Sequence, residues 1–143
     1  MIANRAVSPN DDIVRQAIAG SPLARLLAMD VAALERDRAR IRLPFRSEVT
    51  TVGDLVHGGA ISALVDVAAT AAVWTAADMA RNPRGTTIGF SLNFLAPARG
   101  QDLTADARVV QRGRTICVCD VQVEDAGDRA VARALVTYKL DHT

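Results

Sequence analysis

The chain has 143 residues, half of them hydrophobic, with 17 basic and 16 acidic side chains and a net charge of +1. That length and apolar content suit one domain with a real core and no need of disulfides. The near-neutral charge gives no global pull toward nucleic acid or an anionic membrane surface.

Met1 to Asn10 is mixed in character and is the one stretch expected to be disordered. Met1 to Ala19 lacks a basic start followed by an unbroken apolar run, so no secretory signal is expected and the cytoplasm is the expected location. Asp11 to Ala19 reads as a short helix with Asp11 or Asp12 as its N-cap. Ser21-Pro22 opens a second, Leu23 to Met29, because Pro is well placed at a first helical position. This helical segment, residues 1–29, is expected to pack on a domain formed by residues 30–143.

Two strands follow, Asp30 to Leu34 and Ala39 to Phe45, joined by the charged turn Glu35-Arg36-Asp37-Arg38. Arg38, Arg40 and Arg42 alternate with Ala39, Ile41 and Leu43, the period-two pattern of a half-buried strand. Pro44 to Gly53 is a polar loop. From about Val56 to Ala80 the chain reads as one long helix, apolar on nearly every side, which must therefore be covered all round. Its apolar run is about as long as a bilayer needs, but Asp66, Ser62 and two glycines argue for a buried soluble helix. Asn82-Pro83-Arg84-Gly85 ends it.

Four strands remain. Thr86 to Leu95 places Ile88, Phe90, Leu92 and Phe94 on one face, and Asp102 to Gln111 does the same with Leu103, Ala105, Ala107 and Val109. Arg112-Gly113-Arg114 is a hairpin turn, and Thr115 to Glu124 and Arg129 to Leu140 form a further hairpin. Cys117 and Cys119 share a strand face and read as core thiols in a reducing compartment, with no metal-ligand spacing around them. The expected fold class is α+β, one antiparallel sheet wrapped around one central helix.

The chemistry concentrates in the central helix. Asp66 lies in an otherwise apolar run, where a carboxylate is costly to ionise unless something compensates or uses it. The run opens with His57-Gly58-Gly59, whose amides sit at the positive end of the helix dipole and suit an oxyanion. Gly59 and Asp66 fall on about the same face, but roughly 10 Å apart at the helical rise. A reacting carbonyl needs both donor and base within roughly 3 Å. If both act, they come from different subunits, so catalysis implies a dimer. A structural reading stands beside this one: Asp66 hydrogen-bonded to Ser62, Thr70 or a partner's backbone.

Val56-His57-Gly58-Gly59 with Leu64-Val65-Asp66, and Thr87 through Ala98, resemble the hotdog-fold acyl-CoA thioesterases of the phenylacetate-degradation (PaaI-like) type. The likeness runs from about Ala33 to Leu140. It implies a hotdog domain in homodimers or homotetramers, and an acyl-CoA substrate hydrolysed without a metal or other cofactor. Asp66 would be general base or nucleophile. The Gly59 N–H would hold the oxyanion across the interface, with Gly58 beside it. His57 would support the turn and the carbonyl, and Thr87 would position water. Relatives commonly carry Asn where Thr51 stands here, a shorter side chain without an amide. Arg112 and Arg114 are the first candidates for the CoA phosphates, with Arg81, Arg84 and Arg99 behind them. The alternative is a non-catalytic acyl-CoA-binding module acting as a ligand sensor, for which Thr51 is the main support. A dehydratase of this fold would want a second suitable His, which the chain lacks. Neither nucleic-acid nor membrane binding is expected.

Overall fold

In a computed structural model of the chain, residues 9–143 are described. The disorder expected at the start falls mostly on residues 1–8, outside the described residues; Pro9 and Asn10 already belong to a helix. That helix, α1 (Pro9–Ile13), runs into a π turn over Val14–Ile18, closed by the Ala19 N–H donating to the Val14 carbonyl at 2.8 Å. Helix α2 (Pro22–Leu26) starts as expected, with Ser21 extended at the N-cap and Pro22 at the first position.

Strands β1 (Asp30–Glu35) and β2 (Arg38–Leu43) are joined more tightly than the charge pattern suggests. Only Arg36 and Asp37 form the turn, and Asp37 takes a left-handed φ of 62° that Asp tolerates. The central helix, α3 (Gly58–Trp74), is followed by β3 (Arg84–Phe94), β4 (Leu103–Arg112), β5 (Ile116–Asp125) and β6 (Ala130–Asp141). The six strands form one antiparallel sheet in the order β1-β2-β4-β5-β6-β3. No helix among the described residues is long and apolar enough to cross a membrane.

Helix α3 ends at Trp74 rather than near Ala80. Its last carbonyls, and that of Ala77 just beyond it, find side-chain partners outside the helix, as a helix end requires. Arg112 donates to the Val73 carbonyl at 2.9 Å, Asn10 to those of Trp74 and Ala77 at 2.9 and 2.8 Å, and the Thr75 hydroxyl to that of Ala72 at 2.6 Å. The chain then turns through Asp78 into a 3-10 turn at Met79–Arg81.

The core lies between α3 and the inner sheet face. Leu64, Val65, Ala68, Ala69 and Ala72 pack toward Ile41, Leu103, Val121, Val123 and Val136, all fully buried. Alanine on the helix lets its backbone approach the sheet closely. Cys117 and Cys119 are free thiols in this layer; burial pushes both up from their ordinary value, Cys119 to about 12. The covering of α3 is less complete than its composition suggests. The sheet takes one side and the N-terminal helices another, but Ser62, Ala63, Asp66, Val67 and Thr70 stay half-buried.

Strand β3 departs from simple alternation. Its pairing with β6 shifts between Thr87 and Gly89, so Ile88 is the extra residue of a β-bulge. Phe90, Leu92 and Phe94 share a face, as expected, and the structure makes it the inner one, opposite Val136, Ala134 and Ala132. Before the bulge the phase reverses: Thr87, opposite buried Tyr138, takes the inner face, and Ile88 stands 58% exposed.

Candidate active site

The first turn of α3 is built around its cap. His57 is extended at the N-cap, and its Nδ1 accepts the Gly59 N–H at 2.7 Å. An accepting Nδ1 leaves the ring proton of the neutral form on Nε2. The His57 N–H donates to the Val49 carbonyl, tying the cap to the loop before it. The Ala60 and Ile61 amides both reach the His57 carbonyl, at 3.0 and 3.2 Å. Of the first-turn donors, only the Gly58 N–H has no acceptor among the described residues.

Gly59, the expected oxyanion donor, is therefore engaged in capping, and the free amide lies one residue earlier. A side chain would be crowded at both places. A Cβ on Gly59 would lie 2.9 Å from the His57 ring, and one on Gly58 would lie 3.1 Å from the Phe94 ring. Gly58 opens onto a cleft of about 450 Å³ lined largely by Leu55, Val56, Ile61, Phe94 and Pro97, with Thr51 on its wall.

Two helical turns on, Asp66 meets β3. The Thr87 hydroxyl donates to Asp66 Oδ1 at 2.6 Å, and both side chains are half-buried. The bulge makes this contact, since by strict alternation Thr87 would face away. Asp66 also lines a second cleft, of about 200 Å³, with Val67 and Thr70 of α3 and Ala17, Ile18 and Ser21 of the N-terminal segment. Ser62 and Thr70, the structural partners weighed for Asp66, do not hold it: the Ser62 hydroxyl donates to the Gly58 carbonyl at 2.8 Å.

The structure thus brings Asp66 to Thr87 and Thr51 to Gly58, but leaves the two pairs apart on one chain. Eight residues of helix separate Gly58 from Asp66, roughly 12 Å. Arg112 already has partners within the fold. Its guanidinium holds Asp37 Oδ1 with Nε and Nη2 at 2.9 and 2.7 Å and caps α3 at Val73, which makes it a clamp at the opposite end of the helix. Arg114 is exposed. Arg99, at the Gly58 end, pairs with Asp54 at 3.1 Å. Among the described residues, no three His, Cys, Asp or Glu lie close enough to hold a metal ion.

A curved antiparallel sheet around one helix, with an acid at mid-helix and a glycine-opened first turn, is the hotdog architecture of thioesterases. Comparison with known proteins agrees. Residues 53–132 match the model of the Thioesterase superfamily, and the chain belongs to that family. A provisionally named esterase of Halobacterium salinarum is 34% identical over 113 residues, 77% of this chain and 74% of that protein. The medium/long-chain acyl-CoA thioesterase YigI of Escherichia coli is 27% identical over 133 residues, 82% of this chain and 84% of YigI. A solved thioesterase family protein from Silicibacter pomeroyi superposes with a TM-score of 0.85 at 25% identity, covering 94% of this chain and 99% of that one. These relatives support a hydrolase.

Proposed function

We propose that the protein is an acyl-CoA thioesterase of the phenylacetate-degradation type, acting in the cytoplasm as a symmetric dimer or a tetramer of such dimers. The carrying observation is the 2.6 Å hydrogen bond from Thr87 to Asp66, which orients a carboxylate toward an open cleft. Asp66 takes a proton from water as the water oxygen bonds to the thioester carbonyl carbon. The oxyanion forms on the Gly58 N–H of the second copy. Its collapse breaks the C–S bond, and the CoA thiolate leaves to take up the proton. General-base help of this kind contributes about two to four decades.

The register of β3 supports the pairing of copies. It is an edge strand, with Phe90 and Phe94 40% and 55% exposed on its inner face. Centred on Ser91, an antiparallel pairing with its own copy sets Leu92 against Phe90 and Asn93 against Gly89. Beyond bulged Ile88 it sets Phe94 against Thr87, so inner-face residues always meet inner-face residues. Phe94 touches the place of the Gly58 side chain, and Thr87 holds Asp66. That pairing brings the acid of one copy to the free amide of the other, closing the gap that one helix leaves open.

The test is thiol release from a panel of acyl-CoAs by the wild type and by Asp66→Asn. We expect a loss of about two to four decades in kcat; equal turnover by both proteins sinks the assignment. Thr51 beside Gly58, where an amide would hold the thioester, favours the second reading, a ligand sensor. Tight acyl-CoA binding with no turnover across the panel is its signature.

A further inference from the structure

The N-terminal segment belongs to no part of the chemistry above, yet it forms one whole wall of the cleft that contains Asp66. We infer that this segment, Pro9 to Leu26, sets the size of the acyl group, with Ile18 as the principal side chain and Ala17 at the rim. The inference rests on the thioesterase reading and extends it to specificity.

Two clefts would meet at the attacked carbonyl in the paired molecule. The one at Gly58 is about 450 Å³ and the one at Asp66 about 200 Å³. The long, amide-bearing arm of CoA suits the larger, which leaves the smaller for the acyl group. Its lining is graded accordingly: Ile18, Ala17 and Val67 present hydrocarbon, and Ser21 and Thr70 add two hydroxyls. Ile18 shares this cleft with Asp66, half-buried and the largest side chain contributed from the N-terminal side.

This wall is fixed rather than loosely laid on. Asn10 ties its start to α3 through the Trp74 and Ala77 carbonyls. Val14 and Ala24 are fully buried, and the Arg46 guanidinium holds the Leu26 carbonyl at its far end. The residues that meet Asp66 lie in or next to the π turn Val14–Ile18. Such turns are rare and concentrate at functional sites, because the extra residue re-aims the side chains around it. Here it carries Ala17 and Ile18 to the cleft while Val14 remains in the core.

Ile18→Ala and Ala17→Phe test the inference in opposite directions. Ala17 is exposed, so added bulk there enters the cleft mouth without disturbing the core. The kcat/KM of each protein is measured over straight-chain acyl-CoAs from acetyl to palmitoyl. In parallel, calorimetry follows binding of S-alkyl-CoA thioethers of the same lengths, which cannot be hydrolysed. We expect Ile18→Ala to move both optima to longer chains. Ala17→Phe should weaken longer chains by about ten- to two-hundred-fold, the range typical of hydrophobic-pocket discrimination, and spare acetyl-CoA. Identical length profiles in all three proteins, with turnover still dependent on Asp66, overturn the inference and leave the thioesterase reading intact. Shifted thioether profiles in a protein that hydrolyses nothing do the reverse: the wall stands and the enzyme falls.

Discussion

The two edges of the sheet are built to opposite specifications. At one edge, β1 is six residues long and carries charge. Asp30 pairs with Arg42 at 2.6 Å, and Glu35 lies 3.7 Å from Arg38, which in turn grips Asp106 of β4 at 2.8 Å. Short length and charge are the devices by which an edge strand discourages further pairing. At the other edge, β3 runs eleven residues, its single charge is Arg84 at the first position, and it leaves Ile88, Phe90 and Phe94 open. One edge ends the sheet; the other is left ready to continue it, and it is the one that holds Thr87 against the acid. On the proposed reading, the strand that pairs the copies is also the strand that orients the acid.

The contrast can be broken most sharply by giving β3 the character of β1. Phe90→Lys should turn the dimer into a monomer, read by light scattering. It should also cost the same two to four decades of activity (about the worth of a general base), because acid and amide are then parted. The matched change on the closed edge, Ala32→Lys, should alter neither mass nor rate. A monomeric Phe90→Lys with full turnover would show that each chain works alone.

Thr87→Ala comes next. Losing a hydrogen bond to a charged group should lower kcat by about ten- to a hundred-fold. The dimer should persist, and Thr87→Ser should recover most of the rate. Arg112→Ala sharpens the comparison from the closed side. It unclamps the β1–β2 turn from the end of α3, so urea unfolding should register a loss of about 1–3 kcal/mol. The KM for acyl-CoA should not change, whereas a phosphate ligand would raise it.

The smallest effect belongs to Asp106. Its paired hydrogen bonds with Arg38 hold the carboxyl below its ordinary value of 3.8. A depressed folded-state value means the stabilisation is fully present above that ordinary value and fades as pH falls through the folded one. Asp106→Asn should therefore cost under about 1 kcal/mol near neutrality, since the pair is partly solvated, and nothing in strong acid. Urea melts of both proteins across pH check the convergence.

Much of this was legible in the residues. Alternation and turn signals together located all six strands, and an apolar run with one carboxylate located the helix and its acid. What escaped was set by contacts between distant segments. The early end of α3 is held by Arg112 and Asn10 capturing the Val73 and Trp74 carbonyls, which no local pattern encodes. Gly59 looked the better oxyanion donor until the His57 ring was seen to occupy it; a His directly before Gly-Gly, read as a capping side chain, was the available signal. Arg112 looked like a phosphate ligand because its partner, Asp37, is remote in sequence. Ile18 gave no signal, since the residues it shares a cleft with are remote in sequence.

The unpaired residue at position 88 has a consequence for how this strand can evolve. It lets one surface draw a hydroxyl from an odd position and phenyl rings from even ones, two parities that a regular strand could never present together. Deleting that residue would leave Thr87 opposite Tyr138 and Phe90 opposite Val136 in a regular ladder, so hydroxyl and rings would keep their common face. A single-codon loss there would thus spare the contact between the hydroxyl and the acid, because the partner strand already pairs as if the residue were missing.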